Sequence, residues 1–123
     1  MRKFLRIWFP LIFYSGIIFW LSSIPNLKFQ DSKLPLDKVA HLLEYMPFGY
    51  LLGRVIHDRA PALSWQKIWL GVILGAFLYA LSDEFHQMFV AGRSSDILDA
   101  VADTTGAAIA GWIFAQKIGV SKN

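Results

Sequence analysis

From Ile7 to Leu27 the chain carries no charged side chain. A helix needs about 20 apolar residues to cross the hydrocarbon layer of a bilayer, so this run is long enough to span one unaided. That restricts the rest of the chain, because backbone facing lipid must satisfy its own hydrogen bonds and only helices or closed barrels do so. Arg2, Lys3 and Arg6 resemble the basic start of a cleavable signal, but the apolar run is too long for one. It also ends at Ser22-Ser23-Ile24-Pro25 without an Ala-x-Ala-like cleavage site. The expectation is an uncleaved first helix over about 5–24.

The remainder of the 123 residues keeps this character, with 55% apolar and 15% aromatic side chains overall. Such a chain is too apolar and too short for an ordinary soluble domain. It reads as a single all-α membrane domain over 1–123, a four-helix transmembrane bundle with further helices near 39–56, 65–86 and 97–116. These last three carry charges and are marginal as isolated spans. Zero cysteines remove disulfides, thiolate zinc sites and cysteine nucleophiles, so any metal would take His and carboxylate ligands. Basic residues are scattered among apolar runs rather than striped along one face, which points to the lipid bilayer and not to nucleic acid. The Phe and Trp of the first helix read as lipid-facing or packing surface. Gly-rich phosphate loops, a serine elbow and inverted repeats are lacking from the sequence.

Charge sets the expected orientation. The N-terminus, the loop from His57 to Gln66 with its flanks and the C-terminal tail hold eight basic residues against Asp58 alone. The opposite side, with the loops around Lys28 to Lys38 and Asp83 to Asp96, holds four basic and eight acidic residues. Lys and Arg accumulate on cytoplasmic loops, so both termini are expected inside. Trp8, Trp65, Trp69 and Trp112 then fall near the inner interface and Trp20 near the outer one.

Seven of the nine carboxylates lie in three short blocks, at Asp37 to Glu44, Asp83-Glu84 and Asp96 to Asp103, all on the expected outer side. Helical spacing turns each block into a stripe. Asp37, His41, Glu44 and Tyr45 stand at i, i+4, i+7 and i+8; Asp83, His86 and Gln87 at i, i+3 and i+4; Asp96, Asp99 and Asp103 at i, i+3 and i+7. Lipid cannot solvate these groups, so the stripes are expected to face one another across a polar vestibule open to the outside. Asp37 and Asp96 are placed equally well to cap the second and fourth helices. Gly49-x-x-x-Gly53, Gly71-x-x-x-Gly75 and the overlapping Gly106-x-x-x-Ala110 and Ala107-x-x-x-Gly111 allow close helix approach, and Pro47 interrupts the second helix just past Tyr45.

The string Asp37-Lys38-x-x-His41-x-x-x-Tyr45, then Asp83-Glu84-x-His86-Gln87-x-Phe89-x-x-Gly92-Arg93-x-x-Asp96-x-x-Asp99, then Thr105-Gly106-Ala107, resembles the signature of the VanZ-like family. The resemblance covers Asp37 through Gly111. It implies a small multi-pass protein of the bacterial cytoplasmic membrane, related to an accessory protein that lowers sensitivity to the glycopeptide teicoplanin; it implies no particular reaction. Two departures stand out: Ala91 where relatives often have proline, and Asp103 where they often have asparagine.

Three chemistries suit these residues. In a binding protein, Arg93 and Lys38 would grip the phosphate of a lipid-linked cell-wall precursor or phospholipid headgroup, with Asp37, Tyr45, Gln87, Asp96 and Asp103 around it. In a membrane-embedded hydrolase or transferase, His41 and His86 would exchange protons with Glu44, Asp83, Glu84 or Asp99, or hold a zinc-like ion with them. No His-Glu-x-x-His spacing specifies such a metal. The third reading is a proton-coupled transporter or structural subunit with Asp99 and Asp103 as a relay. Against all three stands a purely structural role, in which Lys38 and Arg93 neutralise neighbouring acids and lock the helices together.

Overall fold

The structure is a computed structural model that describes residues 1–26 and 36–121. Lys28, Asp31, Ser32, Lys33 and Lys122 lie outside the described residues. Among the described residues there are four helices and no strand: α1 (Arg2–Ser22), α2 (Leu36–Arg59), α3 (Trp65–Gln87) and α4 (Ile97–Ser121). The fold is the expected all-helical one. Its elements start and stop where local chemistry dictates. Ser64 caps α3, its hydroxyl accepting from the Lys67 N–H at 3.4 Å, and Asp96 caps α4, its carboxylate accepting from the Leu98 N–H at 2.9 Å. Asp37 instead sits inside the first turn of α2. α2 stops at Arg59, two residues before Pro61, whose ring disfavours helix in the residue ahead of it.

Three of the helices, α1, α3 and α4, are long and apolar enough to cross a membrane, whereas α2 is not. The reason lies in where α2 sits. Both α2 and α3 pack against all the other helices, but α2 has the most extensive interface, with α4, where Gly49 and Gly106 allow backbone contact, so more of the α2 surface meets protein in place of lipid. A helix so placed can carry Asp37, Lys38, His41, Glu44, Arg54, Asp58 and Arg59. The bounds differ from expectation mainly by extension: α1 begins at Arg2 rather than 5 and ends at Ser22 rather than 24, α2 runs from Leu36 to Arg59 rather than 39–56, and α4 continues to Ser121 rather than 116, with Gly119 lying against the Trp65 ring.

Burial is inverted relative to a soluble bundle. Phe13, Trp20, Leu43, Leu74, Leu78, Phe85 and Val101 are exposed, whereas Asp83, Glu84, Gln87, Asp99 and Asp103 are buried. A lipid solvent demands this arrangement, since apolar side chains gain nothing by hiding from it and charges must. Small residues bring α2 and α4 into backbone contact: a Cβ on Gly49 would stand 2.2 Å from the Ala107 carbonyl oxygen, and one on Gly106 would stand 2.0 Å from that of Leu42. Tyr45, Phe48 and Tyr79 stack between α2 and α3, with Phe48 and Tyr79 centroids 4.9 Å apart.

The four helices alternate in direction, so the bundle has two chemically different ends. At one, Arg54 donates to the Arg6 carbonyl at 3.0 Å, Lys3 pairs with Asp58 at 3.0 Å, and Arg59 lies over the Trp8 ring. The other collects the acids. There the turn after α3 reverses at Gly92, whose φ of +72° favours glycine, and the Ala91 carbonyl accepts from the Asn26 N–H at 3.2 Å.

Candidate functional site

His41 lies at the centre of the acidic end. Its Nδ1 donates to Asp103 Oδ1 at 2.9 Å, and its Nε2 lies 3.8 Å from Asp99 Oδ2 and 4.0 Å from Asp37 Oδ1. α2 supplies the imidazole one turn after Asp37, and α4 supplies Asp99 and Asp103 one turn apart, so two helical stripes meet here as spacing requires. Asp103 is completely buried.

Lys38 forms the second node. Its Nζ donates to Asp96 Oδ2 at 2.7 Å and to Asp99 Oδ1, and it stands 3.7 Å from Asp37. The ammonium therefore ties the first turn of α2 to the first turn of α4. Lys38 also holds the Asp96 carboxyl below the usual carboxylate range, helped by the cap bond from Leu98. Glu84 completes the link to α3, its Oε2 accepting from the Asp96 N–H at 2.7 Å. On the same face of α3, Gln87 Nε2 donates to Asp83 Oδ2 at 3.1 Å.

Beside this cluster opens a cavity of about 390 Å³, lined on its polar side by Asp37, His41, Glu44, Asp83, Gln87 and Arg93. Its apolar wall comes from Leu21, Ala40 and Leu43, with Tyr14 and Ser22 completing the α1 side. The Tyr14 hydroxyl donates to the Glu44 carbonyl at 2.8 Å, fixing α1 against α2 at the cavity. A larger groove of about 500 Å³ between α3 and α4, walled by Trp69, Phe77, Val101, Ile109 and Trp112, has no ionisable lining residue and belongs with the lipid-facing surface.

The three blocks thus meet at one end, though α3 joins the network through Glu84 and not through its Asp83, His86 and Gln87 stripe. Asp37, Lys38, His41, Asp96, Asp99 and Asp103 form one bonded network, and Glu84 joins it through the Asp96 backbone. Tyr45 is buried, and its hydroxyl has no hydrogen-bond partner among the described residues. His86 is turned elsewhere: it stacks on Phe19 with centroids 4.4 Å apart, and its Nε2 bonds Ser23 Oγ at 2.9 Å. Ser23 spends its own hydrogen on the Phe19 carbonyl, so the imidazole is the donor. Sequence reasoning did not place Tyr14, Leu21 or Ser22 at the site. The signal was present in their spacing, since Tyr14, Ile18, Leu21 and Ser22 follow i, i+4, i+7 and i+8 along one face of α1.

Fold and site together define a small multi-helix membrane protein whose ionisable residues converge on one histidine at one end of the bundle. The family model described as VanZ/LLP1 matches residues 3–118, nearly the whole chain, and the chain belongs to that family. No curated protein and no solved structure gives a significant match.

Proposed function

We propose that this is a protein of the bacterial cytoplasmic membrane, with both termini inside, whose cavity opens outward and binds a lipid-linked headgroup. The observation that carries the reading is the mixed lining of the 390 Å³ cavity, which combines Arg93 with Glu44, Asp83 and Gln87 and with the apolar Leu21 and Leu43. A guanidinium suits a phosphate, the acids and amide suit hydroxyl, amide or ammonium donors, and the apolar wall suits the first carbons of a lipid chain. A phospholipid or a lipid-linked cell-wall precursor carries all three features. Sequestering such a headgroup would change glycopeptide access to the cell surface, in line with the teicoplanin role of the protein for which the family is named. The test is teicoplanin susceptibility in cells expressing the chain at matched membrane levels. Wild type lowers susceptibility and Arg93→Gln loses the effect; equal susceptibility with and without the wild-type chain would count against the reading.

A second reading is supported by the His41–Asp103 pair. A histidine bonded at Nδ1 to a fully buried carboxylate is fixed in one tautomer, which leaves Nε2 to exchange protons. Such a site would hydrolyse or transfer the headgroup bound beside it. Turnover of a lipid-linked phosphate substrate, abolished in His41→Ala, would favour this enzyme over simple binding.

A further inference from the structure

Among the described residues, Glu84 Oε1, Asp103 Oδ2 and the Tyr45 hydroxyl are buried at the acidic end without a hydrogen-bond partner. Their side chains are 4%, 0% and 1% exposed. A buried carboxylate oxygen without a partner is costly, and two in one cluster call for a common counter-ion. The described residues do not supply enough of one. Seven carboxylates (Asp37, Glu44, Asp83, Glu84, Asp96, Asp99 and Asp103) face Lys38, Arg93, His41 and His86, a deficit of three positive charges even with both imidazoles protonated. Lys38 is committed to Asp37, Asp96 and Asp99, on the outer side of His41. Its ammonium bonds neither Glu84 Oε1 nor Asp103 Oδ2.

We infer that His41, Glu84 and Asp103 bind one divalent transition-metal ion of the zinc type. One ligand atom from each of the three lies within 4.8 Å of the other two. Ligands around a tetrahedral zinc at about 2.1 Å stand roughly 3.4 Å from one another, so the side chains must draw in by rotation, and where Nδ1 is the ligating nitrogen the ion takes the place of the proton it shares with Asp103. The donors come from three helices: Gly106 against Leu42 sets the approach of α4 to α2, and Glu84 Oε2 on the Asp96 N–H ties α3 to the start of α4. One imidazole with two carboxylates and no thiolate suits zinc, manganese or cobalt, whereas calcium and magnesium prefer oxygen alone. Three protein ligands leave a fourth position, the usual arrangement where a metal contacts solvent or ligand. Because His41 also lines the 390 Å³ cavity, that position adjoins the space assigned to the headgroup, although the metal site stands independently of the headgroup reading.

The experiment is calorimetric titration of ZnCl₂ into the purified, chelator-treated full chain in nanodiscs, with no lipid ligand added. One ion binds per chain. Glu84→Gln and Asp103→Asn each weaken binding about tenfold or more, and His57→Ala, at the basic end, leaves it unchanged. Cobalt binds in place of zinc, with visible absorption of a four-coordinate site, and a hundredfold excess of magnesium does not displace it. Far-UV circular dichroism verifies that each variant is folded; should Asp103→Asn lose helicity, Glu84→Gln carries the comparison. Absence of zinc uptake by folded wild type, or uptake unchanged in folded Glu84→Gln, would overturn the inference. Neither result bears on the headgroup reading, whose test uses Arg93.

Discussion

At the scale of single residues, the site depends on charges that few solvents could hold. Asp103 is fully buried against His41, and removing one partner of a buried pair leaves the other uncompensated. Asp103→Ala is expected to cost about 3–5 kcal/mol, read as a lower unfolding midpoint in detergent, with Asp103→Asn costing less because the amide oxygen still accepts from the imidazole. Asp96 makes a different prediction. Its carboxyl is held below the ordinary range, so its stabilising ion pair with Lys38 is present at neutral pH and lost as pH falls below about 4. Asn caps helices as well as Asp, so Asp96→Asn keeps the cap and loses only the pair. Wild type and Asp96→Asn should therefore differ in thermal midpoint at pH 7, with the difference shrinking progressively as pH falls below about 4; a difference that stays constant on acidification would contradict the assignment. The capping role of Asp96 was readable in sequence, because it immediately precedes an apolar helical run. The turning away of His86 was not. At 100° per residue, Asp83 and Gln87 share a face that either Glu84 or His86 can flank, and only the docking of α1 decides between them.

Among the helices, the decisive contact is between α2 and α4. Glycine spacing identified which helices pack closely but not which pairs meet, since Gly49 and Gly106 find their partners, Ala107 and Leu42, only in three dimensions. Gly106→Ala would place its Cβ 2.0 Å from a backbone oxygen, so the helices must separate; a loss of about 1–3 kcal/mol is expected, together with disturbance of the His41–Asp103 bond. Gly16→Ala on α1 meets nothing within 4 Å and should be neutral or slightly stabilising. Equal thermal midpoints for the two variants would argue against the packing. α1 was readable as a membrane span and not as a wall of the cavity. Its lipid-facing Phe and Trp residues dominate its sequence, and although Tyr14, Ile18 and Ser22 are spaced as one stripe, what that stripe faces is set by the docking of α2 and α3.

The molecule as a whole is polarised, with a basic end tied by Lys3, Arg54 and Arg59 and an acidic end built around His41. Placing the basic end in the cytoplasm predicts that a cysteine at Ser64, between α2 and α3, is labelled by a membrane-impermeant thiol reagent only after the cells are opened. Labelling in intact cells would invert the orientation and turn the cavity inward. The central claim is that the cavity at the acidic end is a headgroup site rather than a by-product of helix packing. Titrating the full chain in nanodiscs with a polyprenyl-diphosphate lipid, against an uncharged polyprenol control, tests it most directly. Saturable binding at one lipid per chain, weakened about tenfold or more by Arg93→Gln and absent for the uncharged control, is the predicted result. Binding that is undetectable, or that is unchanged in folded Arg93→Gln, would contradict it.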